Sequence, residues 1–347
     1  MEKATLAAPF PYFGGKSRAC GVVWAALGDP PNYVEPFAGS LAMLLGRASI
    51  GKTETVNDKD GFVANFWRAV SKDWEAVAHH VDWPVNECDL FARHSWLVRQ
   101  SADLLERLHG DPDYFDAKVA GWWCWGLCAW IGRDWCNGKG PWVHDGETLT
   151  KVKGPRGEGV NRQLPDLHAG RGVNRQLPRL GNAGQSVNRR LPVGVVSRTE
   201  FIREWFEALF NRTRDVRVAV GDWQRVLTKT PTTKQGLTGV FLDPPYTAGN
   251  VDYAAGGAGG HLASAVRAWC AANGGNKQMR IVICGHAGEH DSLLDLGWFT
   301  RAWKTRSGMA LTEEAKARSL SETVWCSPHC VRVPAPASVV SSLFSAG

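Results

Sequence analysis

The chain reads as an α/β protein built on a mainly parallel sheet. Three observations predict this. Short apolar runs occur at Tyr33-Val34-Glu35, Glu54-Thr55-Val56, Val216 to Val220, Val240-Phe241-Leu242 and Arg280 to Cys284. Segments with helical spacing of apolar residues separate several of them, the alternation that gives parallel strands with crossover helices. Most of the runs end in turn-forming or acidic residues. In open α/β sheets ligands bind outside the carboxyl ends of the strands, so these run-ends are the candidate functional residues.

The elements follow in order. Tyr33-Val34-Glu35 is a short strand that leads into a small-residue turn, Pro36-Phe37-Ala38-Gly39-Ser40. Ser40 is placed to cap a helix through Leu41 to Leu45. Glu54-Thr55-Val56 is the next strand and ends at Asn57-Asp58. A helix from Gly61 to about Lys72 carries Phe62, Phe66 and Val70 on one face. From Trp74 to Leu108 the pattern is helical and polar. Between Gly121 and Trp142 lie six tryptophans, most of them expected to pack structurally. After Arg198 the α/β pattern resumes with a helix through Phe201, Trp205 and Leu209. A strand then ends at Gly221-Asp222-Trp223, and the central strand Val240 to Leu242 follows. Asn250 to Gly260 is glycine-rich and expected to be mobile. A helix over His261 to Ala271 and strands at 280–284 and 322–326 complete the pattern. The tail after Pro334 is small and polar, with disorder expected.

This gives a core in two parts, 1–73 and 198–333, around a mainly helical module at 74–150 and an insertion at 151–197, with a tail at 334–347. The insertion holds an internal repeat. Val160-Asn161-Arg162-Gln163-Leu164-Pro165 recurs from Val173 with Arg175, and again from Val187 with Arg189. The copies are too short and too glycine-rich for a helical solenoid.

Composition excludes some classes. The 347 residues are 44% hydrophobic and 21% charged, a globular balance. No apolar run approaches membrane-spanning length, and the first residues do not resemble a signal peptide. Nine cysteines at scattered spacings suggest free thiols in a reducing cytoplasm. Cys124, Cys128 and Cys136 fit no common zinc spacing, so no metal is expected. Net charge is +6, yet Lys151 to Arg198 alone carries ten basic and two acidic residues. The rest of the chain is therefore slightly acidic. Charge concentrated in this way suits a polyanion such as double-stranded DNA. A solvated loop would show the same composition.

Asp243-Pro244-Pro245-Tyr246 carries the most chemistry. An exocyclic amine of adenine or cytosine is a poor nucleophile, because its lone pair is delocalised into the ring. It needs N–H acceptors as the nitrogen becomes tetrahedral. Asp243 supplies one and a backbone carbonyl near Pro244 another, while Tyr246 offers a face for an extruded base. Asp-Pro and Pro-Pro are also ordinary turn residues.

Three motifs in order, Pro11-Tyr12-Phe13-Gly14-Gly15-Lys16, Val34-Glu35-Pro36-Phe37-Ala38-Gly39-Ser40 and Asp243-Pro244-Pro245-Tyr246, resemble the Dam-like DNA adenine-N6 methyltransferases. The resemblance implies a divergent, phage-type member with a Rossmann-like methyltransferase fold and S-adenosylmethionine as cofactor. It implies cofactor contacts from Tyr12, Gly14, Gly15 and Lys16 and from Glu35, Pro36, Phe37, Ala38, Gly39 and Ser40. Asp58, at a strand end, is expected on the ribose hydroxyls, and Asp222 on the cofactor's adenine amine. Each of these two also suits a cap or a turn.

The family's recognition segment commonly reads Asn-Gly-Leu-x-Arg-x-Asn. Here Trp125, Ala129 and Ile131 replace its polar residues, so a GATC target does not carry over. Arg133, Asn137 and Lys139 remain as DNA-reading candidates, with Arg162, Arg175 and Arg189 of the repeats as phosphate contacts. No obligate protein partner is expected. N4-cytosine or RNA bases remain alternative targets, and so does a DNA-binding protein that has lost catalysis.

Overall fold

The structure is a computed structural model that describes residues 6–11, 16–130, 135–136, 142–144, 149–151, 197–244, 259–302 and 322–332. Helix α1 (Cys20–Leu27) precedes strand β1 (Asn32–Glu35). A one-turn helix α2 (Ala42–Leu45) leads to β2 (Thr53–Asp58), then α3 (Gly61–Val81), α4 (Glu87–Gly110) and α5 (Ala117–Ala129). A small hairpin, β3 (Trp142–His144) and β4 (Leu149–Lys151), stands apart from the main sheet. Helix α6 (Arg198–Thr213), β5 (Arg217–Val220), β6 (Thr238–Leu242), α7 (Gly259–Asn273), β7 (Met279–His286), β8 (Phe299–Ala302) and β9 (Glu322–Cys326) follow.

The main sheet has seven strands in the order β5-β2-β1-β6-β7-β9-β8. β9 pairs antiparallel with both β7 and β8, and the other pairings are parallel. The six like-directed strands therefore run third-second-first-fourth-fifth-sixth in chain order. That is the doubly wound order, with one antiparallel strand wedged near its end. The expected α/β class holds, with a mixed rather than purely parallel sheet.

Strand alternation divides the core in two. Tyr33, Val56, Phe241, Val282 and Cys284 face α1, α3 and α6 on one side. Val34, Val240, Leu242, Ile281 and Ile283 face α7 and the short turn at Trp223–Leu227 on the other. Successive residues of a strand point to opposite faces, so each core takes every second residue.

The first face continues without a break into the helical flank. Phe62, Phe66 and Val70 are buried, as their spacing predicts, and Phe66 packs near Phe10, Trp67 and Trp123. Gly121 and Gly126 let α5 approach its neighbours closely. A Cβ on Gly121 would meet His80 of α3, and one on Gly126 would meet the Trp135 ring. Trp123, Trp125 and Trp135 are buried, the structural role expected for most of this tryptophan group. The Arg93 guanidinium lies over the rings of Trp83, Trp122 and Trp125, which ties α4 to α5.

The helix expected to end near Lys72 runs on to Val81, but it is kinked at Asp73, where φ is −146° and ψ 68°. The Asp73 carboxylate accepts from the Ala76 N–H and restarts the helix beyond the kink. Of the other expectations, the tail and nearly all of the glycine-rich stretch after Asn250 lie outside the described residues, and so do the three repeats.

Candidate functional site

Neighbouring strands β1 and β6 are the point where chain order reverses. β2 and β5 lie to one side of β1, and β6 and β7 to the other. The crossovers leave in opposite directions there, and open α/β sheets commonly bind ligands at the carboxyl ends of the strands at such a point.

The turn after β1 is clamped to the end of β2. The Ala38 N–H donates to the Asn57 carbonyl (2.9 Å), and the Asn57 side-chain amide donates to the Pro36 carbonyl (3.1 Å). Gly39 has φ +46°, a conformation glycine adopts at little cost, and its N–H donates to Asp58 Oδ2 (2.9 Å). Its carbonyl accepts from the Trp67 indole (2.9 Å). Ser40 does not cap a helix. Leu41, at φ +53°, occupies the cap position of α2 without a side-chain bond. The expected cap is lost because Asp58 and Asn57 hold this turn across the sheet, and the chain reaches α2 already left-handed.

Asp58 accepts from the Asp60 N–H (2.9 Å) through Oδ1 as well as from Gly39. Burial pushes its carboxyl up to about 7, and the Asp60 charge adds to the rise. The Gly39, Lys59 and Asp60 N–H groups thus all engage it, and a carboxylate has further acceptor capacity. Asp222 is exposed, and its Oδ1 accepts from the Gln224 N–H (2.9 Å), the turn-capping arrangement. Beside it, Phe37 stacks on Trp223 with ring centres 6.1 Å apart.

On the other side of this point, Asp243 directly follows β6. Its Oδ1 lies 3.3 Å from Lys16 Nζ, and Lys16 is only 3% exposed. Residues 6–11 anchor the segment that delivers this lysine. The Trp205 indole donates to the Ala7 carbonyl (3.0 Å), the Cys128 thiol donates to the Pro9 carbonyl (3.4 Å), and Phe10 sits edge-on to Phe66 and Trp123.

Glu35 shares the sheet face of Asp243 and is 3% exposed. Its carboxyl accepts from the Tyr33 hydroxyl (3.0 Å) and from the Leu44 N–H. Burial pushes this carboxyl up to about 8; the Tyr33 bond opposes the rise, and the charge of Asp243 adds to it. Behind the pair lies a buried ionic array. Glu54 accepts from Arg212 through both oxygens (2.6 and 3.0 Å) and from Arg47 (2.9 Å). Arg47 also reaches Asp29 (2.7 Å).

The fold thus brings Lys16, Glu35, Gly39, Asp58, Pro244 and Asp243 to one sheet edge, with Asp222 at its border. Pro36, Phe37, Ala38 and Ser40 form the turn between them. Tyr12, Gly14, Gly15, Pro245 and Tyr246 lie outside the described residues, as do Arg133, Asn137, Lys139, Arg162, Arg175 and Arg189. Sequence reading missed Tyr33, although it sits two residues from Glu35 on the same strand face. It also missed Glu54, Arg47 and Arg212, whose pairing depends on contacts distant in the chain.

The edge is rich in acceptors. Three carboxyl groups accompany one lysine, a set of acceptors that suits a ligand with amine and hydroxyl donors better than a phosphate. Among the described residues no cluster of His, Cys, Asp and Glu could hold a metal ion. No described helix is long and apolar enough to cross a membrane, and all nine cysteines are free thiols. No protein-family model matches the chain, and no curated protein matches it.

Proposed function

We propose that this protein transfers a methyl group from S-adenosylmethionine to N6 of adenine in DNA. One observation carries the reading. Lys16, Glu35 to Ser40 and Asp243, which belong to three separate motifs, the last far along the chain from the first two, meet at the switch point of a doubly wound sheet. The residues also fit the cofactor in chemical type. Its sulfonium, ammonium, ribose hydroxyls and adenine amine are cations or donors, and the sheet edge supplies Glu35, Asp58 and Asp243 as acceptors.

The bound cofactor would supply an electrophilic methyl group. The chain's own residues then have separate tasks. Gly39 lets the backbone approach the ligand, and Asp58 fixes that turn. Asp243 accepts the N–H of the extruded adenine amine and so raises the electron density on nitrogen, with the Pro244 carbonyl as second acceptor. Tyr246 stacks on the base. Lys16 pairs with Asp243 and orients its carboxylate until substrate arrives. The basic stretch from Lys151 to Arg198 supplies charge for the phosphates of double-stranded DNA.

The test incubates purified protein with labelled S-adenosylmethionine and unmethylated genomic DNA, followed by nucleoside analysis and mapping of modified positions. N6-methyladenine is the expected product. N4-methylcytosine, or incorporation into RNA alone, would replace the target while keeping the chemistry. Cofactor binding without any incorporation would leave a DNA-binding protein on the same fold. Asp243→Ala should lower turnover on the order of 10²- to 10³-fold, the scale seen when one electrostatic partner of a transition state is removed. Undiminished turnover would remove Asp243 from the mechanism.

A further inference from the structure

Methylation of an amine has a charge ledger of its own. An N–C bond forms and the C–S bond breaks, with its electron pair going to sulfur. The sulfonium becomes a neutral thioether, and one N–H proton must leave. The site therefore loses a fixed positive charge at the moment when a proton becomes available.

The geometry beneath Asp243 suits that event. Two carboxyl groups, Glu35 and Asp243, share one face of adjacent strands. Lys16 pairs with Asp243 at 3.3 Å. Glu35 is buried and receives the Tyr33 hydroxyl and the Leu44 N–H. Among the described residues, other charged and titratable groups also act on it. Arg212 approaches from α6 but is engaged by Glu54. The thiol of Cys20 on α1 is itself pushed up to about 11 by burial and then by Glu35. Glu35 and Asp243 thus sit in different surroundings, the kind of pair that divides acid and base roles. Burial, and then the charge of Asp243, favour a proton on the Glu35 carboxyl, while the Tyr33 hydroxyl, the Leu44 N–H and the charge of Arg212 oppose it.

Building on the methyltransferase reading, we propose that Glu35 is a proton-exchanging group of the cofactor site, releasing its proton when a sulfonium binds and recovering one from the amine, through Asp243, when that charge is lost. Glu35 thereby discriminates between substrate and product cofactor. As a carboxylate it favours the cation, and once reprotonated it no longer holds the neutral thioether.

Calorimetry of the full chain tests this without any turnover. S-adenosylmethionine and S-adenosylhomocysteine are each titrated in two buffers of different ionisation enthalpy between pH 6 and 9. Below pH 8 the sulfonium should release a proton on binding, and the thioether should release markedly less. Affinity for the sulfonium should rise up to about tenfold per pH unit until the Glu35 carboxyl is ionised, the slope of a single linked proton. The ligand's own amine also titrates in this range, but it is identical when residue 35 is glutamine. In Glu35→Gln the released proton attributed to the carboxyl should disappear. Tyr33→Phe removes a bond that favours the ionised carboxyl and should move the affinity profile to higher pH.

Equal proton release for both ligands, or release unchanged in Glu35→Gln, would overturn the proposal. The comparison of the two ligands on the unaltered protein needs no variant to fold. Failure of either ligand to bind would instead overturn the methyltransferase reading on which the proposal rests.

Discussion

The two faces of the sheet solve different problems with the same strands. The face toward α7 is apolar along its centre: Val34, Val240, Leu242, Ile281 and Ile283 are all fully buried. The face toward α1, α3 and α6 buries charge among its apolar residues. Glu35, Glu54, Arg47 and Lys16 are each under a tenth exposed, and Asp58 and Asp243 are partly buried. A period of two gives both faces from one chain, so a residue's parity decides whether it builds the core or the site. One face contributes packing that does not depend on pH. The other keeps ionisable groups out of water, which costs stability unless each is paired. Of these groups, Lys16, Glu35, Asp58 and Asp243 gather at the carboxyl edge of the strands.

The largest effect on this contrast should come from Glu54→Gln. It leaves Arg47 with Asp29 but deprives Arg212 of its carboxylate, with the guanidinium still largely buried. Breaking one side of a buried ion pair costs about 3–5 kcal/mol, read as a shift in denaturant midpoint. Adding Arg212→Met should recover part of that loss, because the orphaned cation is then gone. A double variant no better than the single one would mean that the array holds the face by packing rather than charge.

Ile281→Ala on the opposite face should cost about 2–4 kcal/mol, the range for truncating a buried aliphatic side chain. Its cost should stay constant between pH 5 and 9, whereas that of Glu54→Gln should move as neighbouring groups titrate. Parallel pH profiles for the two variants would erase the distinction between the faces.

Much of this contrast was legible in the sequence. The apolar runs at 240–242 and 280–284 are unambiguous, because buried parallel strands need nearly continuous Val, Ile and Leu. The end residues Glu35, Asp58, Asp222 and Asp243 could be singled out, because polar groups at the carboxyl edge stand out against such runs. What could not be read is long-range pairing. Lys16 meets Asp243, and Arg212 meets Glu54, only because β1 lies between β2 and β6. β8 was missed because Phe299-Thr300-Arg301-Ala302 is neither alternating nor continuously apolar. The antiparallel entry of β9 leaves no local trace in Glu322 to Cys326. Ser40 misled because a cap residue predicts a helix start only if no competing partner holds the turn.

The smallest effect should separate charge from hydrogen bonding at the edge itself. Asp60 caps α3 by accepting from the Phe62 N–H (2.8 Å), and its charge helps to raise the Asp58 carboxyl. Asp60→Asn keeps an acceptor at the cap, so the helix should lose no more than about 0.5 kcal/mol. The removed charge should let the Asp58 carboxyl fall below about 7. The sign follows from linkage. A carboxyl raised on folding contributes stability that is complete below its unfolded value and is lost as pH rises through its folded value. The variant should therefore match the parent near pH 4, apart from the small cap difference, and be relatively more stable above pH 7, both because the Asp60 carboxyl, itself raised by burial, no longer ionises and because the Asp58 carboxyl is less raised. Melting curves across that range decide it. A constant offset at every pH would show that Asp60 acts on α3 alone, and the carboxylates of the sheet edge would then have to be treated as independent groups.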